Sequence, residues 1–115
     1  MRRPIGRQRW AVTAGTEAEP AAWVLNSADE PALLVVTLFL SDQEPAGPFR
    51  VMVGARRCLH LRFGHLPDGP ALAPGTTVAA VLEASVPVVV QPAPADPGRP
   101  DVLAAAALGV YAADA

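Results

Sequence analysis

The chain has 115 residues, enough for one domain with a two-layer core and too few for a second unit. Hydrophobic residues make up 51% of the sequence, which excludes an intrinsically disordered protein. The net charge of −2 gives no overall attraction to nucleic acid or to an anionic membrane surface, so we expect neither as a charge-driven partner.

Three further features predict a cytoplasmic protein. Cys58 is the only cysteine, so no internal disulfide can form. The basic N-terminus leads into no apolar signal segment. The longest apolar run, 33–40, is far shorter than the ~20 residues of a membrane helix.

Short β-prone segments alternate with turns through the first 40 residues. We predict strands over 8–13 (QRWAVT), 22–26 (AWVLN) and 32–40 (ALLVVTLFL). The intervening 26–31 (NSADEP) is rich in residues that bond their own backbone in turns. The segment 32–40 is the most hydrophobic of the chain, and we expect it to be a central strand covered on both faces.

The stretch 41–63 combines turn chemistry, alternation and basic residues. Two prolines and a glycine within 43–48 prevent a helix and reverse the chain. Strands over 49–53 and 57–63 are predicted to form a hairpin. Strict alternation then places Leu59, Leu61 and Phe63 on one face and the polar residues between them on the other.

Arg57 falls on the apolar face of this alternation. An arginine among core residues must be paired, so we predict a partner in Asp42, Glu44 or a backbone carbonyl.

The second half contains two further predicted strands, 76–83 and 86–91. Pro87 has no N–H and is therefore expected at a strand start or at a sheet edge. Four prolines make 92–100 a stiff connection. For the tail, 103–112, local propensity slightly favours a helix through its alanines, whereas Gly109 and the Val110-Tyr111 pair favour a strand.

Eight short segments separated by proline and glycine turns predict an all-β protein, an antiparallel, jelly-roll-like β-sandwich comprising residues 1–115 as a single domain. The edges of such sheets need covering, and oligomerisation is one way to do so.

Several side chains are candidates for chemistry, each with a plainer interpretation. Arg56, Arg57, His60 and Arg62 suit an anion or sugar hydroxyls, or are solvated strand residues. Cys58 and His60 have the spacing of two metal ligands but lack a second pair, so we predict no metal site and no cofactor. No catalytic constellation is apparent, so we predict no enzyme. Trp10 and Trp23 are stacking platforms or, more often in a small sandwich, core residues.

Several short motifs follow one another along nearly the whole chain: Ile5-Gly6-Arg7, Trp10-Ala11, Leu25-Asn26, the turn SDQEPAGPFR at 41–50 with the following Ala55-Arg56-Arg57, HLRF at 60–63 and SVPVVVQ at 85–91. Through these motifs the chain resembles the sensory rhodopsin transducer family. The sequence departs from the family pattern after Gln91, where Pro92-Ala93-Pro94 replaces a polar stretch, and in its short loop between the first two strands.

The resemblance implies a cytoplasmic β-sandwich that assembles as a homotetramer, with the tail as a strand. It also implies a non-enzymatic adaptor that docks on the cytoplasmic side of a sensory rhodopsin and relays its signal. The alternative is a module for carbohydrate-like small molecules, with Arg57, His60, Arg62 and Gln91 lining the site and Trp10 nearby.

Overall fold

The computed structural model describes residues 4–14, 20–41, 43–73, 76–92 and 110–112. This part of the chain forms seven β-strands and one turn of 3-10 helix, Phe63–His65. The strands are β1 (Arg7–Ala14), β2 (Ala21–Asn26), β3 (Ala32–Leu40), β4 (Ala46–Val53), β5 (Arg57–Arg62), β6 (Val78–Pro92) and β7 (Val110–Ala112). The predicted all-β class is confirmed, and the described residues form seven strands where about eight were predicted. The described residues include no helix long and apolar enough to cross a bilayer.

The strands make two antiparallel sheets that share β6. The first, called here the five-stranded sheet, has the order β4-β3-β6-β1-β7. In the second, the three-stranded sheet, β2 lies between β5 and the C-terminal part of β6. Residues 78–84 of β6 pair with β3, and residues 89–92 pair with β2. One strand therefore belongs to both layers of the sandwich.

This continuity corrects the prediction of separate strands over 76–83 and 86–91. The two segments are parts of one strand of 15 residues. Pro87 lies inside it and not at a strand start or a sheet edge. Among the described strand pairs, residues 85–87 have no registered partner, so the missing N–H of Pro87 removes no ladder hydrogen bond.

The predicted hairpin of 49–53 with 57–63 is also wrong. β4 pairs with β3, whereas β5 pairs with β2 in the other sheet. Arg56, between them, adopts a left-handed φ of 55°. Its N–H donates to the carbonyl of Ala28 at 3.1 Å, which directs the chain from one layer into the other. The reversal predicted over 43–48 instead joins β3 to β4.

The core lies between the sheets and follows the period-two alternation of the strands. In β3, Ala32, Leu34, Val36 and Leu38 are buried, and the residues between them are only half-buried or exposed. The predicted coverage of this strand on both faces is therefore wrong for the described chain. The large side chains that are fully buried include Phe63, Leu34, Leu38, Leu82, Val12, Val24, Val36, Val53, Val78, Val88 and Val90. Burying each contributes ~1.5–3 kcal/mol.

Asn26 is a buried polar residue at the end of β2. Its Nδ2 donates to the carbonyls of Glu30, Val53 and Gly54 at 2.8, 3.2 and 3.1 Å, and its Oδ1 accepts the N–H of Ala28 at 3.0 Å. One side chain thereby joins the end of β2, the following turn and the end of β4.

The strand predicted for the tail is confirmed over Val110–Ala112, which pairs antiparallel with β1. The rest of the predicted segment, 103–109, and the stiff connection after Pro92 lie outside the described residues.

Candidate functional site: the outer face of the three-stranded sheet

Trp23 lies at the centre of the three-stranded sheet and points away from the core. Its neighbours Ala22 and Val24 are fully buried, so the alternation of β2 directs the indole outward. Trp23 is 44% exposed, which makes the core interpretation of this tryptophan wrong. Both faces of β2 carry apolar side chains. The alternation of the sequence alone therefore did not show which face of the strand points outward.

The two neighbouring strands place polar side chains on either side of this indole. His60 of β5 and Gln91 of β6 are the register partners of Trp23. The Trp23 and His60 rings are stacked, with centroids 4.6 Å apart and planes inclined by 28°. Cross-strand partners share a face of the sheet, so the indole lies in a row between an imidazole and a primary amide.

The same face continues along β5 and β2 in both directions. Arg62 lies opposite Ala21, and Cys58, an exposed free thiol, lies opposite Leu25. We call this surface the Trp23 face; its members are Ala21, Trp23, Leu25, Cys58, His60, Arg62, Val89 and Gln91. None of these residues is acidic, and Arg62 supplies a guanidinium at one end of the face.

The other two predicted site residues do not lie on the Trp23 face. Trp10, in β1 of the five-stranded sheet, is half-buried, and its Nε1 donates to the carbonyls of Val88 and Arg7 at 2.9 and 3.1 Å. This indole N–H is directed at backbone and not at a ligand.

Arg57 is exposed, which corrects the prediction that it lies among core residues. Arg57 is on the same side of β5 as Leu59 and Leu61. It is, however, the first residue of the strand and lies beyond the buried part of the core. Its Nη1 donates to the backbone carbonyl of Arg56 at 3.4 Å. A backbone carbonyl was one of the predicted partners. Asp42, another predicted partner, lies outside the described residues.

Arg56 is separated from the rest of the predicted basic cluster. Its guanidinium lies 2.6 Å from the Asp29 carboxylate, in an ion pair exposed to solvent. This pair stands beside an open cavity of about 830 Å³ whose other walls include Pro4, Leu25 and Ser27. Because Leu25 also belongs to the Trp23 face, the cavity adjoins the end of that face.

This arrangement suits binding by stacking. An exposed indole presents a flat apolar surface to a ring, and amide, imidazole and guanidinium groups beside it supply hydrogen bonds. In the part of the chain that the structure describes, no three His, Cys, Asp or Glu side chains group as metal ligands would. Sequence reasoning brought His60, Arg62 and Gln91 to one surface and missed Trp23 as its centre.

The two-sheet sandwich with an exposed aromatic face defines a small antiparallel β-sandwich protein. The chain belongs to the Anabaena sensory rhodopsin transducer family, whose family model matches residues 5–111. That family is named for a signalling role. No curated protein matches the chain significantly.

Two solved structures illustrate the similarity. The Anabaena sensory rhodopsin transducer is 40% identical, with a TM-score of 0.68 over 77% of this chain and 97% of the other. The structure titled Thermotoga maritima 1070 is 23% identical, with a TM-score of 0.57 over 75% of this chain and 78% of the other. The second match shows the fold alone.

Proposed function

We propose that this protein is a non-enzymatic signalling adaptor that binds the cytoplasmic side of a sensory rhodopsin, or of a similar membrane receptor, and relays its signal. The observation that carries the proposal is family membership over residues 5–111, together with 40% identity to a solved transducer. We infer a cytoplasmic homotetramer as the working form, as the resemblance implies.

Binding to a receptor in lipid tests the adaptor role. The purified protein is passed over a sensory rhodopsin reconstituted in lipid nanodiscs, and surface plasmon resonance records binding in the dark and under illumination. Empty nanodiscs of the same lipid are the matched control. We expect binding to the loaded discs alone and a change in dissociation rate with light. Equal signals from loaded and empty discs would contradict the proposal.

The Trp23 face favours a second candidate, the binding of a carbohydrate-like small molecule. Its support is specific: Trp23 is 44% exposed although it is the largest side chain of β2, and His60 holds its ring by stacking. A sugar ring stacks on such an indole, and its hydroxyls form hydrogen bonds with the polar side chains beside the indole, here His60 and Gln91.

A thermal-shift screen with neutral sugars and sugar acids tests this candidate. A ligand that binds only the folded state raises the free energy of unfolding by RT ln(1 + L/Kd), where L is the free ligand concentration, and so raises the Tm. The expected result is a rise with at least one compound that disappears in Trp23→Ala. A screen without any rise would remove the small-molecule candidate and leave the adaptor role standing.

A further inference from the structure

His60 is the titratable member of the stacked pair on the Trp23 face. In β5, Leu61 is buried and Leu59 half-buried, so the alternation of the strand directs the imidazole of His60 to the outer face. There the imidazole meets the indole of Trp23, with ring centroids 4.6 Å apart and planes inclined by 28°. Both residues are exposed to solvent, so the imidazole exchanges protons with water.

A proton on His60 changes the chemistry of this pair. A histidine side chain passes between a neutral and a positively charged form within about pH 5 to 8. The neutral imidazole gives the indole an aromatic contact alone, whereas an imidazolium is a cation against the electron-rich face of a tryptophan. The separation of 4.6 Å is within the reach of about 6 Å for such a contact. The stack therefore strengthens and gains a positive charge as the pH falls.

His60 is the described member of the Trp23 face that becomes positively charged as the pH falls. The other titratable or charged groups described on this face are Cys58 and Arg62, both in β5. An arginine stays charged throughout this range, and a thiol carries no positive charge in either form. Arg50 of β4, which also contacts β5, belongs to the outer face of the five-stranded sheet, because its neighbours in the strand pack on the core. From β2 and β6 the face receives side chains that do not titrate: Ala21, Trp23, Leu25, Val89 and Gln91.

We propose that His60 is a pH-dependent positioning and specificity residue of the Trp23 face. Its imidazole holds the indole of Trp23 in one orientation, and its proton selects the ligand. Sugar acids are favoured over neutral sugars when His60 is protonated, and this preference falls as the pH rises. A carboxylate accepts a charge-assisted hydrogen bond from an imidazolium, about twice as strong as a neutral one. The inference deepens the small-molecule candidate and rests on it for the identity of the ligand.

Tryptophan fluorescence tests the positioning role without a ligand. The chain contains two tryptophans, so Trp10→Phe leaves Trp23 as the single indole. A protonated imidazole in contact with an indole quenches its emission more strongly than a neutral one. We expect the emission of Trp10→Phe to fall by roughly a third or more between about pH 8 and pH 5. The fall should follow the NMR titration of the His60 ring protons.

Two histidine variants, made in the Trp10→Phe background, locate the response. His60→Gln keeps a polar side chain of similar size that does not titrate, and it should abolish the change in emission. His65→Gln is the same substitution at the other histidine, in the 3-10 turn after β5, and it should preserve the change, as should Cys58→Ser. If Trp10→Phe fails to fold, the difference between wild type and His60→Gln gives the same answer.

Matched ligand pairs test the selectivity. The probes are glucose with glucuronate and galactose with galacturonate, where each acid carries a carboxylate in place of a hydroxymethyl group. By isothermal titration calorimetry, we expect the affinity of the acid relative to its neutral partner to rise roughly tenfold from about pH 8 to pH 5.5. In His60→Gln this ratio should stay constant with pH.

The outcomes separate this inference from the candidate function on which it rests. Constant emission of Trp10→Phe across the pH range, or a response that persists in His60→Gln, would overturn the positioning role. A sugar acid that binds with the same preference at both pH values would overturn the selectivity and leave the small-molecule candidate standing. If none of the four compounds binds at either pH, the selectivity fails together with that candidate, whereas a pH response of the free protein would still support His60 as the positioning residue.

Discussion

The indole of Trp23 rests against the imidazole of His60, ring centroid to ring centroid at 4.6 Å, across the β2–β5 pair. This contact holds an exposed aromatic ring in one orientation. Trp23→Ala should cost ~1 kcal/mol of stability for the lost aromatic pair and roughly 1–2 kcal/mol more for the covered part of the indole, which is 44% exposed, while removing any ligand-induced rise in Tm. Melting curves with and without a compound found in the sugar screen measure both effects.

Trp10→Phe is the control for Trp23→Ala. It deletes an indole N–H that donates to the Val88 carbonyl, which should cost ~1 kcal/mol, and it leaves the Trp23 face intact. The ligand response should survive in this variant. If both variants lost the ligand-induced rise in Tm equally, the Trp23 face would not be the ligand-binding surface.

Asn26→Ala should be among the most destabilising single substitutions at a polar residue of the chain. Three carbonyls and one N–H lose their partner, and buried polar groups left unsatisfied cost ~1–3 kcal/mol each. We expect a loss of about 3 kcal/mol in urea denaturation, allowing for partial access of water.

Ser27→Ala supplies the comparison for Asn26. The Ser27 hydroxyl accepts the exposed N–H of Ile5 at 2.9 Å and has no second hydrogen bond among the described residues, so its removal should cost less than ~1 kcal/mol. Similar midpoints for the two variants would show that the Asn26 bonds contribute little net stability.

Gly6 occupies a position that no other residue fits. Its φ is +113°, and a Cβ there would overlap the backbone carbonyl of Val88. Gly6→Ala should cost at least ~2 kcal/mol, because it combines backbone strain with displacement of a neighbouring strand. Gly54→Ala is the matched substitution, since its Cβ meets only the flexible Arg57 side chain, at 3.2 Å from Cγ. Chemical denaturation should show Gly54→Ala near wild type, and equal losses would contradict the role of Gly6.

The outer face of the five-stranded sheet carries exposed apolar side chains, with Phe39 at 44% and Met52 at 57% exposure. This surface suits subunit contact, so light scattering should report several times the 11.9 kDa chain mass. A Phe39→Glu, Met52→Glu double variant should lower that mass. Trp23→Ala, on the opposite sheet, should not, and a monomeric wild type at micromolar concentration would contradict the predicted assembly.

Arg57→Ala tests the corrected position of this arginine. Because Arg57 is exposed and its hydrogen bond to Arg56 is long, at 3.4 Å, we expect a change below ~0.5 kcal/mol in unfolding free energy. Arg56→Ala, which removes the exposed ion pair with Asp29, should also cost less than ~1 kcal/mol. A loss of ~3–5 kcal/mol for Arg57→Ala would restore the buried-pair interpretation.

Local patterns predicted the strands whose signals lie within a few residues. The apolar run of β3 and the alternation of β5 needed no knowledge of the rest of the chain. The single strand β6 was not predictable in this way, because Ser85 and Pro87 favour a boundary and only pairing with both sheets overrides them. The pairing of β5 with β2 was not predictable from local patterns either. The paired residues Asn26 and Arg57 are 31 positions apart in the sequence, and the nearer strand β4 was the expected partner.

The candidate site was predictable in part for the same reason. The alternation along β5 places His60 and Arg62 on the same face, and they lie on the same face in the structure because both belong to one strand. Trp10 and Trp23 could not be distinguished, since each stands in a strand whose two faces both carry apolar residues. Only the register of β2 with β5 and β6 shows which indole meets His60 and Gln91.

The strand β6 also determines how the protein unfolds. Its residues 78–84 are bonded into one sheet and its residues 89–92 into the other, so neither sheet can melt without releasing a strand of its neighbour. We therefore expect the two layers to unfold as a single cooperative unit. The backbone of β6 also runs without interruption from Gln91 to the far layer, through residues 85–87, which have no registered partner among the described strands.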